Sequence, residues 1–340
     1  MPLNQVWRDG WTHRRAGFWP DEPEKSLIRN RCPELRMERV PDGTGRELGY
    51  ETNTPLADLG KSFYKLKCRP FRVDRDETFR RLAIAAESFG DLLPAKIVTQ
   101  NTYTAGLGLA ANAVRLIGMD NFYLAMVDQP EEVHRFFDFV STEAADFLDW
   151  LEAERLVTPN HGEFCAGSGS CGFTDELPVR SIREGEPVGV KDCWGWQEAQ
   201  ESVGISAEMY AEFIHPYQRR TSDRYGLIYY GCCEPVHQQW PILQQFKNLR
   251  KISVSPWCNQ EVIAAAVEKN VVLSRKPHPL KLCGEKFDAK EFKTHVQETL
   301  EIAQNNYVEL IFRDTCTLCG TMKDRVAEVC GIVRRLIGRD

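Results

Sequence analysis

The sequence has no apolar run approaching the ~18 residues that a membrane-spanning helix needs. Its opening stretch, with Trp7, Arg8, Asp9, Arg14 and Arg15, lacks the apolar segment of a secretory signal, so a cytoplasmic protein is expected. A basic excess is also missing. Lys and Arg total 43 against 49 Asp and Glu, a net charge of −6, which excludes duplex nucleic acid as a natural partner. Low-complexity tracts and internal repeats are absent, and 42% hydrophobic with 27% charged residues excludes disordered and fibrous classes.

What is there begins with size and sulfur. The 340 residues are about twice a typical ~150-residue domain, yet β/α barrels carry such a length as one unit. Twelve cysteines in a cytoplasmic chain read as thiols or metal ligands rather than a disulfide framework. Cys32, Cys68, Cys283 and Cys330 lie apart and suit burial as small hydrophobes; the other eight fall between Cys165 and Cys319.

The first 75 or so residues, punctuated by Pro20, Pro23, Pro33, Pro41 and Pro55, carry no sustained period and read as an irregular N-terminal cap over residues 1–75. From there to residue 340, amphipathic segments alternate with short β-branched runs, the pattern of βα units. The strongest helix starts at Pro130, with Glu131 and Glu132 in its first turn. Val133, Phe136, Phe137, Val140, Ala144, Phe147, Leu148 and Leu151 follow at helical spacing. Further helices are expected at 207–225, 261–269, 290–304 and 324–337, the third opened by a capping box of Asp288 and Glu291. Strands are expected at 96–99, 156–158, 188–191, 227–230, 251–255, 271–274 and 308–312. Seven strands, most followed by a helix, predict an α/β fold: a (β/α)8 TIM-type barrel with an irregular N-terminal extension, forming one domain overall.

In such a barrel the chemistry sits at the C-terminal ends of the strands. There the sequence places His161, Glu163 and Cys165, then Cys193, Cys232 with Cys233 and Glu234, Cys258, Arg275 with Lys276, and finally Arg313 with Asp314 and Cys316. Thiols from at least four strand ends on one face predict a soft metal site, with zinc held by three protein ligands and one position open. Cys316 and Cys319 also have the spacing of a redox pair or structural knuckle, but no second Cys-x-x-Cys exists to complete one. Side chains alternate along an extended chain, so only one of Cys232 and Cys233 should face the site, and Cys233 is preferred. His237 and His278 suit hydrogen-bonding support roles. Arg275 and Lys276 suit an anionic substrate, Arg313 and Asp314 a plain ion pair, and Trp194, Trp196 and Trp257 the wall of a flat ligand or rim packing.

From about residue 156 to the C-terminus, and more faintly over 117–132, the chain resembles the uroporphyrinogen decarboxylase-like superfamily. The likeness is carried by the Gly-Ser-Gly loop at Gly167, Ser168 and Gly169 leading to Phe173-Thr174-Asp175-Glu176-Leu177-Pro178, and by Ile205-Ser206-Ala207-Glu208-Met209-Tyr210. Ile214-His215-Pro216, Tyr230-Gly231-Cys232-Cys233-Glu234-Pro235, Ile252-Ser253-Val254-Ser255-Pro256-Trp257 and Leu273-Ser274-Arg275-Lys276-Pro277 continue it. The resemblance implies a β/α barrel and one of two chemistries. Decarboxylases of the superfamily carry Arg-Gln-Ala-Gly-Arg near the N-terminus; here Arg15-Ala16-Gly17-Phe18 puts Phe18 in place of the second arginine. Zinc-dependent corrinoid methyltransferases carry His-x-Cys after the strand at 227–230 and a Cys after the last strand. Cys233 matches the first Cys, with Gly231 in the His position, and Cys316 the second.

By that resemblance the ligand set is Cys193, Cys233 and Cys316, with Glu163 and Cys165 as competitors, and Glu234 is the acid for the leaving oxygen. The implied activity is methyl transfer from a small molecule, a methoxylated aromatic above all, to a corrinoid on a separate carrier protein, with a homodimer allowed. The alternatives are a decarboxylase-like lyase acting on a tetrapyrrole or other carboxylated substrate, and a methyl-corrinoid:thiol methyltransferase.

Overall fold

A computed structural model describes residues 32–40, 49–68, 70–99, 103–183, 185–284, 286–313 and 322–338. Two short strands, β1 (Met37–Val40) and β2 (Gly49–Thr52), pair antiparallel ahead of the helical part. Helices α1 (Leu59–Ser62), α2 (Arg75–Phe89), α3 (Leu109–Ile117), α4 (Met119–Asp128) and α5 (Pro130–Ala153) follow. The 24 residues of α5 form as their pattern predicts: Pro130 sits in the first turn, and Val133, Phe136, Phe137, Val140, Ala144, Leu148 and Leu151 are buried.

The antiparallel hairpin of β3 (Gly162–Gly167) and β4 (Ser170–Gly172) comes next. Then five parallel strands alternate with helices. They are β5 (Trp194–Gln197), α6 (Ala207–Phe213) with α7 (His215–Ser222), β6 (Leu227–Tyr230), α8 (Trp240–Leu243), β7 (Leu249–Val254), α9 (Gln260–Ala266), β8 (Val272–Arg275), α10 (Leu280–Cys283) with α11 (Ala289–Ile302), β9 (Val308–Leu310) and α12 (Met322–Leu336). The sheet order β5-β6-β7-β8-β9 sets each strand beside its sequence neighbour. Right-handed connections in that order put the crossover helices on one face of the sheet. The chain is therefore an α/β protein. Among the described residues no helix is long and apolar enough to cross a membrane.

Four expectations shift. The helix expected over 207–225 is two helices, because Pro216 has no N–H to donate and the chain breaks at Ile214 (φ −120°, ψ −53°). The strand expected at 188–191 is a 3-10 turn over Val190–Asp192, closed by Asp192 Oδ2 accepting from Gly189 N (3.0 Å). The strand itself lies six residues later, at Trp194–Gln197. Residues 96–99 and 156–158 do not form ladder strands; instead Thr99 N donates to the Thr158 hydroxyl (2.8 Å). At α11, Asp288 accepts from Lys290 N and Glu291 N as expected, whereas Glu291 turns to Lys281.

The tip of the hairpin lies against the other face of the sheet. Ala166 and Leu177 cluster with Trp194 and Leu227, and a Cβ at Gly167 would stand 2.2 Å from the Tyr229 ring. Lys251, in mid-strand on this face, donates to Ser170 Oγ (2.9 Å), Cys171 O (2.7 Å) and Glu309 Oε2 (3.1 Å) and lies over the Trp194 ring (5.6 Å). Removing one partner of a buried ion pair strands the other. Lys251→Ala is expected to lower urea-measured stability by about 3–5 kcal/mol. The double replacement Lys251→Met with Glu309→Leu should recover most of it; if the double variant is as unstable as the single, the pair does not anchor the hairpin.

Candidate functional site at the strand ends

Alternation along the strands sorts the side chains. On the hairpin face lie Trp194 and Trp196 of β5, Tyr229 of β6, Lys251 and Ser253 of β7, Ser274 of β8 and Glu309 of β9. They are joined by bonds such as Tyr229 OH to Ser274 Oγ (3.0 Å). Just beyond the strand ends follow Glu198, Cys232, Lys276 and Arg313.

β6 ends at Tyr230, and Gly231 takes φ +98°, where a Cβ would meet Ser253 Cβ at 2.9 Å. This turn breaks the extended alternation. Cys232 and Cys233 therefore do not point to opposite sides: their Sγ atoms are 3.7 Å apart, and the Ser168 hydroxyl of the hairpin tip donates to Cys232 Sγ (3.4 Å). Cys233 is exposed and Cys232 half-buried. The hydrogen bond with Cys233, followed by burial, pushes the Cys232 thiol up.

Glu234, the expected acid, is buried, and both its oxygens accept from backbone: Oε1 from Ala199 N (3.0 Å), Oε2 from Cys232 N (2.8 Å). It ties the loop after β6 to the loop after β5. Beside it stands a carboxyl to which sequence reasoning gave no role. Glu198 is the first residue after β5 and is buried. Burial, then Glu201 and Glu234, push it well above the ordinary carboxylate value. Placing the strand six residues early concealed it.

Lys276 is 5% exposed. Its Nζ donates to Tyr229 OH (3.0 Å), Cys232 O (3.4 Å) and Ser253 Oγ, and burial lowers it to about 8. Arg275 points the other way, to the helix side, where Nη1 donates to Ser255 O (2.7 Å) and Val254 O (3.3 Å). It is structural where an anchor for substrate was expected. Arg313 instead reaches the hairpin face and donates to Ser168 Oγ.

The remaining candidates separate. Cys193 precedes β5, so it lies at the opposite end of the strand from Cys232. It is fully buried, with Sγ near Thr158 O (3.5 Å) and Gly189 O (3.7 Å), and burial followed by Asp192 pushes it up to about 12. Cys165 Sγ is turned to Gly167 O (3.1 Å), and Glu163 is exposed at the start of the hairpin. Cys316 and Asp314 lie outside the described residues. Trp194 is packed in the core with Nε1 on Gly172 O (3.1 Å), so it offers no wall. Trp196, stacked on Tyr103 (6.4 Å) with Nε1 on Gly231 O (3.1 Å), does border the strand ends. Trp257 is exposed, edge-on to His278 (5.3 Å). His237 accepts from Asn259 N (3.2 Å). Among the described residues no group of three or more His, Cys, Asp or Glu is close enough to hold a metal ion.

No family model and no curated protein matches the chain. Among solved structures it is similar to a methyltransferase from Methanosarcina mazei, at a TM-score of 0.52 and 10% identity, over 92% of this chain and 77% of that one. The likeness is one of fold. It spans the helices before the sheet as well as the sheet itself, so the strand-end cluster sits in a scaffold shared along nearly the whole chain.

The two ends of β5 differ in thiol chemistry. At about pH 9, with a chelator present to keep the thiols free of metal, a soluble alkylating reagent is expected to modify Cys233 in the folded protein and leave Cys193 untouched until urea is added. Cys193 titrates higher folded than unfolded, so its contribution to stability is complete below about pH 9 and is lost between about 9 and 12 as the unfolded chain ionises. The fall in urea-measured stability across that window should be smaller in Cys193→Ala. Rapid labelling of Cys193 in the native state would refute the placement.

Proposed function

We propose that the chain is a zinc-dependent methyltransferase on a (β/α)8 barrel of the uroporphyrinogen decarboxylase-like type, moving a methyl group from a methoxylated aromatic to a corrinoid on a partner protein. The observation that carries this reading is the Cys232–Cys233 pair. A separation of 3.7 Å is what two thiolates adopt around one tetrahedral zinc with Zn–S of about 2.3 Å. Glu198 supports it. Glu201, Glu234 and Cys232 all push this buried carboxyl up, and a divalent cation would offset that negative crowding. The two thiols thus fit zinc, with Glu198 complementing the charge of the ion from nearby and Cys316 as third ligand. Cys193, at the far end of its strand, is left out. The fold shared with a methyltransferase agrees with the chemistry.

Zinc held here would draw electron density from the ether oxygen and so make the phenol a better leaving group to Co(I) of the corrinoid. The protein's own groups do the positioning. Glu234 fixes the thiol loop through Ala199 N and Cys232 N, the Ser168 hydroxyl donates to Cys232 Sγ, and Trp196 borders the site as a flat surface for a ring. In such a transfer the carbon–oxygen bond of the methyl ether would break, the corrinoid would be the methyl acceptor, and the phenolate oxygen would take a proton from solvent.

Purified without chelators, the protein should contain about one zinc per chain. Cys232→Ala and Cys233→Ala should each lose it, and Cys193→Ala should keep it. With reduced corrinoid and 2-methoxyphenol, the zinc-loaded protein should produce catechol together with the absorbance change from Co(I) to methyl-Co(III). Neither product from methoxyaromatics, with zinc present and a competent carrier, would reject methyl transfer from ethers.

A further inference from the structure

Two cations stand near one another at the end of the hairpin face, and neither forms an ion pair among the described residues, although the Glu234 charge is felt at Lys276. Lys276 follows β8 and Arg313 follows the end of β9. The three acceptors around Lys276 Nζ are a phenol, a hydroxyl and a backbone carbonyl, all neutral, and they occupy all three of its N–H donors. Arg313 Nη1 donates to the Ser168 hydroxyl, again neutral. The nearby Glu234 carboxylate has both oxygens on backbone N–H groups. Two like charges brought together in a partly buried place cost free energy that a bound anion would offset.

The arrangement is also built locally. Arg313 crosses the hairpin tip at Gly169 (φ +87°), where a Cβ would lie 3.0 Å from Arg313 Cδ and 2.9 Å from Ile311 Cγ2, so a side chain there would displace the arginine. The hydroxyl that receives Arg313 is the one that donates to Cys232 Sγ, so the guanidinium stands one hydroxyl away from the thiol pair.

We propose that Arg313, with Lys276 behind it, binds the carboxylate of an aromatic acid and so sets the ring beside the Cys232–Cys233 thiols. A planar guanidinium presents paired donors that match a carboxylate edge, whereas the saturated Lys276 acts through its charge. The preferred substrates are therefore methoxylated benzoates, with neutral methoxyphenols bound more weakly. The carboxylate anchor stands on the cation pair alone; only the orientation of the methoxy group rests on the methyl-transfer reading.

The test is calorimetric titration of the full, zinc-loaded chain with 4-hydroxy-3-methoxybenzoate and with 2-methoxyphenol, its neutral counterpart. Wild type is expected to bind the acid at least about tenfold more tightly than the phenol. Arg313→Ala and Arg313→Gln should abolish that preference and leave phenol affinity unchanged, and Arg313→Lys should retain part of it. Lys276→Met, measured in the same way, should weaken the acid selectively and serves if the arginine variants do not fold. The anchor is overturned if wild type shows no preference for the acid, or if the variants bind it as wild type does or weaken both ligands equally. Demethylation of 2-methoxyphenol by wild type reports on the methyl-transfer reading separately. An Arg313-dependent acid preference with no methyl transfer would sink that reading and keep the anchor; methyl transfer without the preference would do the reverse.

Discussion

Lys251 is the side chain on which the rest of the interior depends. A parallel sheet ordinarily carries apolar side chains on both faces. Here an ammonium in mid-strand bridges the hairpin tip at Ser170 and Cys171, the last strand at Glu309 and the ring of Trp194. A buried lysine must be paired and hydrogen-bonded to be tolerated. Its demands therefore fix how deep the hairpin sits, and the hairpin in turn delivers Ser168 to the strand ends.

From that placement the site follows in order. With Gly167 against Tyr229 and Gly169 against Arg313, the tip has one polar side chain to offer at its top, and Ser168 spends it twice, accepting from Arg313 and donating to Cys232. Gly231 supplies the complementary turn from the sheet side. Without its left-handed φ the chain would continue extended and send the two thiols apart. Glu234 then closes the arrangement by holding two loops through backbone N–H groups, a use of a carboxylate that suits a fixed frame better than a proton carrier.

Much of the fold was legible because its signals are local. The apolar spacing of α5, the Asp288 cap and the strand at Leu227–Tyr230 each rest on a handful of adjacent residues. β5 was misplaced for an equally local reason. Trp-Gly-Trp-Gln carries a glycine at its centre and no β-branched residue, so the neighbouring Val188 and Val190 attract the assignment, although the bond from Asp192 to Gly189 N curls that stretch into a turn. A slip of six residues, longer than the strand itself, exchanges its two ends. That slip put Cys193 at the site and hid Glu198.

The deeper limit concerns side chains whose meaning depends on the opposite face of the sheet. Arg275 and Lys276 are adjacent, and no sequence rule separates an anchor from a brace. Alternation decides it: Arg275 falls to the helix side and is bound by the carbonyls of Val254 and Ser255, while Lys276 falls to the hairpin side. Arg313 is read from sequence as the partner of Asp314, its neighbour, and its contact with Ser168 spans 145 positions of chain. The same geometry separates charge across the site. Glu198, Glu201 and Glu234 gather at the ends of β5 and β6, and Lys276 and Arg313 at the ends of β8 and β9, with the thiols between them. A cation is favoured on one side and an anion on the other, which is the polarity that the proposed metal and the proposed acidic substrate would each require.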